Sequence, residues 1–298
     1  VDLRKAGEAI MGAMKAVNPN AVWVVQAWGA CPYPSMIKHL KNGDMLVLDL
    51  YSENRPQWGN SESTWYRKEG FNGHDWAFCM LLNFGGNVGM FGKLQHVVDE
   101  YYKARCSSFK STMKGVGLTM EGIENNPVMY ELVSELPWRD AKFSWKEWLH
   151  DYVEARYGNI NNAKVHDAWL LLARSVYGAG AKVVEQGCHE SVLCARPALD
   201  VYQVSSWSEM EEFYNPDDVI RAARLMVEAS HEVKANDNFR YDLVDVTRQA
   251  IAEQARYVYD EVVAAYKAKD RKMFDYTTKR FLDILLQQDR MLSSMPDF

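Results

Sequence analysis

The stretch GVGLTMEGIENN, Gly115 to Asn126, runs from an apolar segment straight into a carboxylate at Glu121. An unpartnered carboxyl group is costly to bury, so one at the end of a core strand either pairs with a cation or faces a cleft, where it can attack an electrophile or carry a proton. Spacing alone leaves equal room for a salt bridge to a neighbouring Lys or Arg and for a cleft-facing acid. Gly122, lacking a side chain, lets a backbone or a ligand come close and weighs toward the cleft. Other apolar runs end in further candidates: Gln26 and Trp28, then Leu50, Tyr51 and Glu53, then Asn83 and Phe84. Trp28 and Phe84 offer the flat apolar surfaces that suit a sugar ring and that suit a core equally well.

Other patterns carry less chemistry. In NFGGNVGMFG the glycines at 85, 86, 89 and 92 miss the GxGxxG spacing, and no P-loop lysine follows. HEVKAN at His231 lacks the second histidine of a zinc protease motif, Ala235 standing in its place. His189, in GCHES, lies in an irregular stretch between helices and on position alone reads as a hydrogen-bonded loop residue. Five widely spaced cysteines, Cys31, Cys79, Cys106, Cys188 and Cys194, form no CxxC pair. No metal site and no cofactor are expected. Cys188 and Cys194 alone are close enough for a local disulfide, with two free thiols as the alternative.

Side chains at strand ends need strands to hold them. Four short apolar runs recur, Ala21 to Trp28, Met45 to Leu50, Trp76 to Leu81 and Gly115 to Met120. Continuous apolarity over so few residues predicts strands covered on both faces, as in a parallel sheet. SMIKHLKNG predicts a crossover helix ended by Gly43, and LQHVVDEYYKAR predicts another. Tyr51 to Asp75 is a long polar and aromatic connection holding Trp58, Trp65 and Tyr66, of the kind that builds binding sites. Four such strands make either an open α/β sheet or the later part of an eight-stranded barrel. The opening helix, with Leu3, Ile10, Met14 and Val17 on one face and no strand before it, favours the barrel.

After about Leu136 the pattern is helical alone. SWKEWLHDYVEARYG stops at Gly158, and NPDDVIRAARLMVEAS opens on Asn215 as cap and Pro216, with Val219, Ala223, Met226 and Val227 on one face. A longer helix from about Tyr241 to Lys267 places Val244, Thr247, Ile251, Ala255, Val258 and Val262 together, and a last amphipathic helix follows. With 48% apolar residues, the 298-residue chain has ample material for a core. Its charge of -6, with KAKDRK as the longest basic cluster, argues against a nucleic-acid partner. No apolar run approaches the roughly 20 residues of a membrane span, and no signal peptide or Asn-x-Ser/Thr sequon is visible.

Taken together, VWVVQAW, MLVLDLYSENRP, CMLLNFGGNVGMFG, GVGLTMEGIENNPVMYELVSEL, RYG at Arg156, RSVY at Arg174 and FRYDLVDVTRQA at Phe239 closely resemble glycoside hydrolase family 89, the α-N-acetylglucosaminidases. The resemblance implies α/β plus all-α architecture: residues 1–140 as the C-terminal half of a catalytic (β/α)₈ TIM-like barrel, and 141–298 as an all-helical domain. It implies a retaining hydrolase that releases terminal α-linked N-acetylglucosamine from glycans such as heparan sulfate or mucin-type caps, in an extracytoplasmic compartment. Glu121 takes the place of the family's nucleophile, and Trp28, Leu50, Phe84 and His189 match residues of its sugar pocket. The family's acid/base glutamate belongs to an Asn-Glu-Met motif upstream of Val1, and neither Glu53 nor Glu124 matches it. The chain alone is therefore expected to be inactive. The alternative is a non-catalytic glycan-binding or scaffold protein of the same fold.

Overall fold

The computed structural model describes residues 2–85, 87–121, 126–180, 187–204, 212–233 and 236–295. Gly86, Gly122, Glu124 and Ala235, on which parts of the sequence reading fall, lie outside them. The chain divides into two compact units. One comprises Val1–Leu82, Gln95–Glu121 and Pro127–Lys142, the other Asn83–Leu94, Gly122–Asn126 and Phe143–Phe298.

The first unit is a four-stranded parallel sheet in the order β1 (Trp23–Ala27), β2 (Met45–Asp49), β3 (Asp75–Met80) and β4 (Met113–Leu118). Parallel neighbours require crossovers, supplied here by α2 (Pro34–Ile37), by the long 51–74 connection and by α3 (Leu94–Cys106). Only β3 is covered almost throughout; β1 and β2 alternate, and β4 is half-buried. The expectation of four strands covered on both faces thus holds for one. Val24 of β1 is 54% exposed, and β1 and β4 are the outer strands in the sheet order.

Helix α1 (Leu3–Val17) starts where Asp2 accepts the Lys5 N–H. Its buried face is Gly7 and Met11, whereas Ile10 and Val17 are exposed. The reason is steric, since a Cβ on Gly7 would stand 2.4 Å from the Met36 carbonyl oxygen. The helix docks through its least bulky stripe rather than its most apolar one. Helix α2 is also shorter than expected, ending at Ile37; Gly43 instead serves a later turn with φ of 94°.

Within the 51–74 connection, Trp58 stacks on Trp76 with centroids 6.1 Å apart and Phe71 packs on the same ring, so these aromatics are core. Arg67 bolts the connection down. Its Nε donates to Gln57 Oε1 at 2.5 Å, and its terminal nitrogens donate to the carbonyls of Pro32 at 2.6 Å and Cys31 at 2.8 Å. Gln57 in turn donates its backbone N–H to Asp49 Oδ2 at 2.9 Å. Asp49 is fully buried in β2, and burial pushes its carboxyl up to about 7, against the opposing pull of the Gln57 N–H, the Ser52 hydroxyl and Arg67.

The second unit contains α5 (Trp145–Tyr157), α6 (Ala163–Arg174), α7 (Pro216–Ala229), α8 (Asp237–Lys267) and α9 (Arg271–Leu292); the first also holds α4 (Pro127–Glu135). Helices α6 to α9 pack successively. Two caps fall where the sequence places them, Gly158 closing α5 in the left-handed region and Asn215 opening α7; Ser144 opens α5. Val227 of α7 lies off the buried face, which is Val219, Ala222, Ala223, Met226 and Ala229.

Helix α8 begins at Asp237, behind the Asn236 cap, and departs most from its expected apolar face. Its N-terminal half buries Asp242, Asp245 and Gln249, with Glu253 next, at spacings of three and four. Each polar group is answered. Arg156 makes a bidentate pair with Asp242, at 2.5 and 2.8 Å, and the Tyr157 hydroxyl donates to the same carboxylate at 2.6 Å. Arg248 binds Asp245 through two nitrogens. Beyond this stripe, Ala255 and Val258 join Val192 and Ile284 in an apolar core. Among the described residues no helix is long and apolar enough to cross a membrane.

Two measurements check these networks. Asp49 binds its proton more tightly in the folded chain than in an unfolded one, so its stabilising contribution is whole below about pH 4 and is lost as pH rises through about 7. Asp49→Asn keeps an acceptor without the titration, and the stability difference between variant and parent should therefore shift in the variant's favour, by at most about 4 kcal/mol, from pH 4 to pH 8 in urea denaturation. A parallel pair of profiles would contradict the assignment. Asp242→Ala strands the Arg156 guanidinium and should cost about 3–5 kcal/mol in the same assay.

Candidate active site

Parallel strands place their C-terminal ends on one side of the sheet, and loops leaving that side can vary without disturbing the core. Three of the expected site residues follow such ends in the first unit. Trp28 comes directly after β1, Leu50 directly after β2, and Glu121 three positions after β4.

Thr119 fixes this rim. Its N–H donates to the Met80 carbonyl at 3.0 Å, and its hydroxyl donates to the carbonyls of Leu50 at 2.8 Å and Met80 at 3.3 Å. A single side chain thus ties the end of β4 to the ends of β2 and β3, two residues before Glu121. Glu121 itself is exposed, and so the cost of burying its charge, the premise of the sequence reading, does not arise. Leu50 is half-buried. Trp28 remains 38% exposed at the head of an aromatic group, stacked on Tyr51 at 5.9 Å and edge-on to Trp65 at 4.7 Å. A tight turn through Gly29, φ 55°, closes with paired backbone bonds between Trp28 and Cys31 and holds the indole there. Arg55 lies 5.3 Å from the centre of the Trp65 ring.

Glu53, a strand-end candidate by spacing, proves to be a structural anchor. It is 2% exposed, and its Oε1 accepts the N–H groups of Leu81 at 3.0 Å and Leu82 at 2.8 Å. Leu82 stands in the left-handed region at φ 70°. Successive N–H groups converge on one anion in such a turn, which offsets the strain of a bulky residue there. A hollow of about 420 Å³ lined by Lys38, Asn72, Gly73, Phe109 and Thr112 lies beside the residues that precede β3 and β4, at the opposite ends of the strands.

Phe84 and His189 belong to the second unit. Asn83 Oδ1 accepts the Cys188 N–H at 3.0 Å, which sets the segments carrying Phe84 and His189 side by side. Gly187 permits this approach, since a Cβ there would fall 2.2 Å from Asn83 Oδ1. The 83–94 segment is strapped further along. Gly89 donates to Cys188 Sγ at 3.1 Å, Met90 to Gln249 Oε1 at 3.0 Å, and Phe91 to Asn126 Oδ1 at 2.9 Å. Burial pushes the Cys188 thiol up to about 12. All five cysteines are free thiols, so the Cys188–Cys194 bridge is not formed.

His189 is 6% exposed and sits in a polar cage. Its Nε2 lies 3.5 Å from Glu253 Oε1 and 3.9 Å from Glu212 Oε1, and its Nδ1 lies 3.4 Å from the Tyr214 hydroxyl. Glu253 Oε1 also accepts the Tyr214 hydroxyl at 2.6 Å and Gln249 Nε2 at 2.7 Å. Burial works against the Glu253 charge, but its bond to His189, with those to Tyr214 and Gln249, holds the carboxyl below its usual range. Burial and the neighbouring Glu253 raise Tyr214, which stays a protonated donor. Tyr214, Gln249 and Glu253 escaped the sequence reading. The signal for two of them was present, in polar residues recurring every three or four positions along the face of α8 opposite the one that the apolar pattern assigned to the core.

Known proteins agree with this architecture. Residues 1–140 match the model of the alpha-N-acetylglucosaminidase (NAGLU) tim-barrel domain, and residues 148–298 that of the NAGLU C-terminal domain. The human alpha-N-acetylglucosaminidase is 36% identical over 278 residues, 90% of this chain and 35% of its own length. Among solved structures, CpGH89 of Clostridium perfringens in complex with its substrate GlcNAc-α-1,4-galactose superposes with a TM-score of 0.88 at 30% identity, over 100% of this chain and 32% of its own. A family 89 glycoside hydrolase of the same organism bound to PUGNAc gives the same values. The chain spans about a third of the length of these relatives. With a parallel sheet and helices of TIM-barrel type in the first unit, helices throughout the second, and a matching family model over each, the chain belongs to the alpha-N-acetylglucosaminidase (NAGLU) family.

Proposed function

We propose that this chain carries the nucleophile of a retaining glycoside hydrolase that releases terminal α-linked N-acetylglucosamine from glycans, heparan sulfate or mucin-type caps among them, in an extracytoplasmic compartment. The observation that supports it best is the position of Glu121: an exposed carboxylate just past the C-terminal end of a parallel strand, on a rim braced by Thr119. The related structure bound to GlcNAc-α-1,4-galactose gives the substrate class.

The chemistry is two displacements. A Glu121 oxygen attacks the anomeric carbon from the β face while a second carboxyl protonates the departing glycosidic oxygen. The resulting glycosyl ester is then opened by water that the second group deprotonates, restoring the α configuration. Retention requires the two carboxyls about 5 Å apart. Neither Asp49 nor Glu53 is assigned the second role, because Glu53 holds the Leu81 and Leu82 N–H groups and Asp49 lies fully inside β2. Trp28 offers an aromatic face to the pyranose ring and Leu50 an apolar contact. In the second unit Phe84 and His189 are the proposed sugar contacts. Glu253 and Tyr214 fix the orientation of the His189 imidazole and supply it with a negative partner.

The test uses the longest natural polypeptide that contains these residues, assayed on an aryl α-N-acetylglucosaminide. Glu121→Ala should lower kcat by roughly 10³-fold or more. Added azide should restore turnover and yield the β-glycosyl azide, because the small anion enters where the carboxylate was; recovery of no azide product, or full activity in the variant, would refute the nucleophile. Trp28→Ala should raise KM about tenfold with a smaller effect on kcat, as expected for loss of one stacking contact.

A further inference from the structure

We propose that His150, Glu154 and His166 form a binding site for one divalent transition-metal cation of the zinc type, built on the α5–α6 helical hairpin. One imidazole nitrogen from each histidine and one carboxylate oxygen lie within 4.8 Å of one another. His150 and Glu154 are four residues apart on α5 and therefore share a face; His166 comes from the first turns of α6. Two imidazoles with one carboxylate suit zinc, cobalt, nickel or copper and not calcium or magnesium, which need shells of oxygen.

Two of the three ligands, Glu154 and His166, are held before any ion arrives. Glu154 carries the hairpin's loop: its carboxylate oxygens lie 3.2 and 3.3 Å from the Asn161 N–H, and its backbone carbonyl accepts the N–H groups of Gly158 and Asn159. Such bonds orient a ligating carboxylate. His166, its side chain 19% exposed, places Nε2 2.5 Å from Glu154 Oε1. That ion pair accounts for His166 alone. It leaves unexplained why His150, 63% exposed and free to extend into water, lays its ring on that of His166, with centroids 4.6 Å apart and planes 14° from parallel. Two stacked imidazoles beside one carboxylate are a repulsive arrangement when both carry protons, and a favourable one when a cation replaces those protons. The Asp151 carboxylate, 3.7 Å from His150 Nδ1, adds negative charge beside the site. Coordination at about 2.0–2.2 Å requires the Glu154 and His166 donors to part slightly and the exposed His150 ring to tilt out of its stack, and the exposed side of His150 leaves a fourth position to water. Among the described residues the other three-donor group, His189, Glu212 and Glu253, already spends its Glu253 oxygen on Tyr214 and Gln249.

Untagged full chain, stripped with a chelator and titrated with Co²⁺, should develop visible d–d bands that saturate at one equivalent and vanish when Zn²⁺ is added. Zn²⁺ should raise Tm. His150→Ala alters an exposed side chain, and His166→Gln keeps a donor toward Glu154, so both variants are expected to fold, as circular dichroism will report. Each should weaken Co²⁺ binding by at least about tenfold. Absence of bands in the parent, or bands of undiminished strength in both variants, would overturn the proposal.

Discussion

A carboxylate does not leave water alone, and both units are organised around places where one has been made to. In the first unit Asp49 and Glu53 flank the end of β2, inside the fold. In the second, Asp242, Asp245 and Glu253 line one face of α8. What each acid receives in return decides its state. Asp49 gains the Gln57 N–H, the Ser52 hydroxyl and the charge of Arg67, too little to offset its burial, and its carboxyl holds a proton up to near neutrality. Glu253 gains a hydroxyl, an amide and an imidazole on one oxygen and stays ionised. Burial alone would lower the Arg156 pKa, yet the bonds and charge of Asp242 raise it. The same desolvation thus yields a neutral acid in one setting and fixed charges in others.

These internal anchors keep the rim in place. Arg67 and Gln57 link the long connection after β2 to the turn after β1, so the loop that carries Trp65 is fastened to the loop that follows Trp28. Glu53 holds the left-handed turn by which the chain leaves β3. In the second unit, Gln249 and Arg248 of α8 take hold of Met90 and Val88, so a helix that carries a buried acid also shapes the segment bearing Phe84. Structural polar groups and proposed sugar contacts alternate along the same stretches of chain.

Elements with strong local signals were legible in the sequence. Four apolar runs became four strands within a few residues, and the Gly158 and Asn215 caps fell at their expected places because capping is decided by one side chain and one backbone angle. What failed depends on neighbours. The docking face of α1 follows from the room that Gly7 leaves for Met36, and the face of α8 from partners as distant in sequence as Arg156 and Met90. The candidate site divides in the same way. Strand-end spacing alone drew attention to Glu121, Trp28, Leu50 and Phe84, whereas His189 stood out only through family resemblance. The cage around His189 draws on two segments distant from it in the chain, Glu212 with Tyr214 and Glu253 of α8, and no short window of sequence contains it.

The hydroxyl of Thr119 joins three consecutive strand termini through two carbonyls. Covalent distance along the chain between those termini is large, yet the bracket makes them a single stiff platform. Loops mounted on such a platform can lengthen, shorten or exchange residues during divergence while the foothold beneath Glu121 keeps its coordinates. A valine at position 119 would preserve the β-branched shape and the main-chain link to Met80 while releasing Leu50, so that one oxygen atom separates a rim that evolves loop by loop from one that must evolve as a whole.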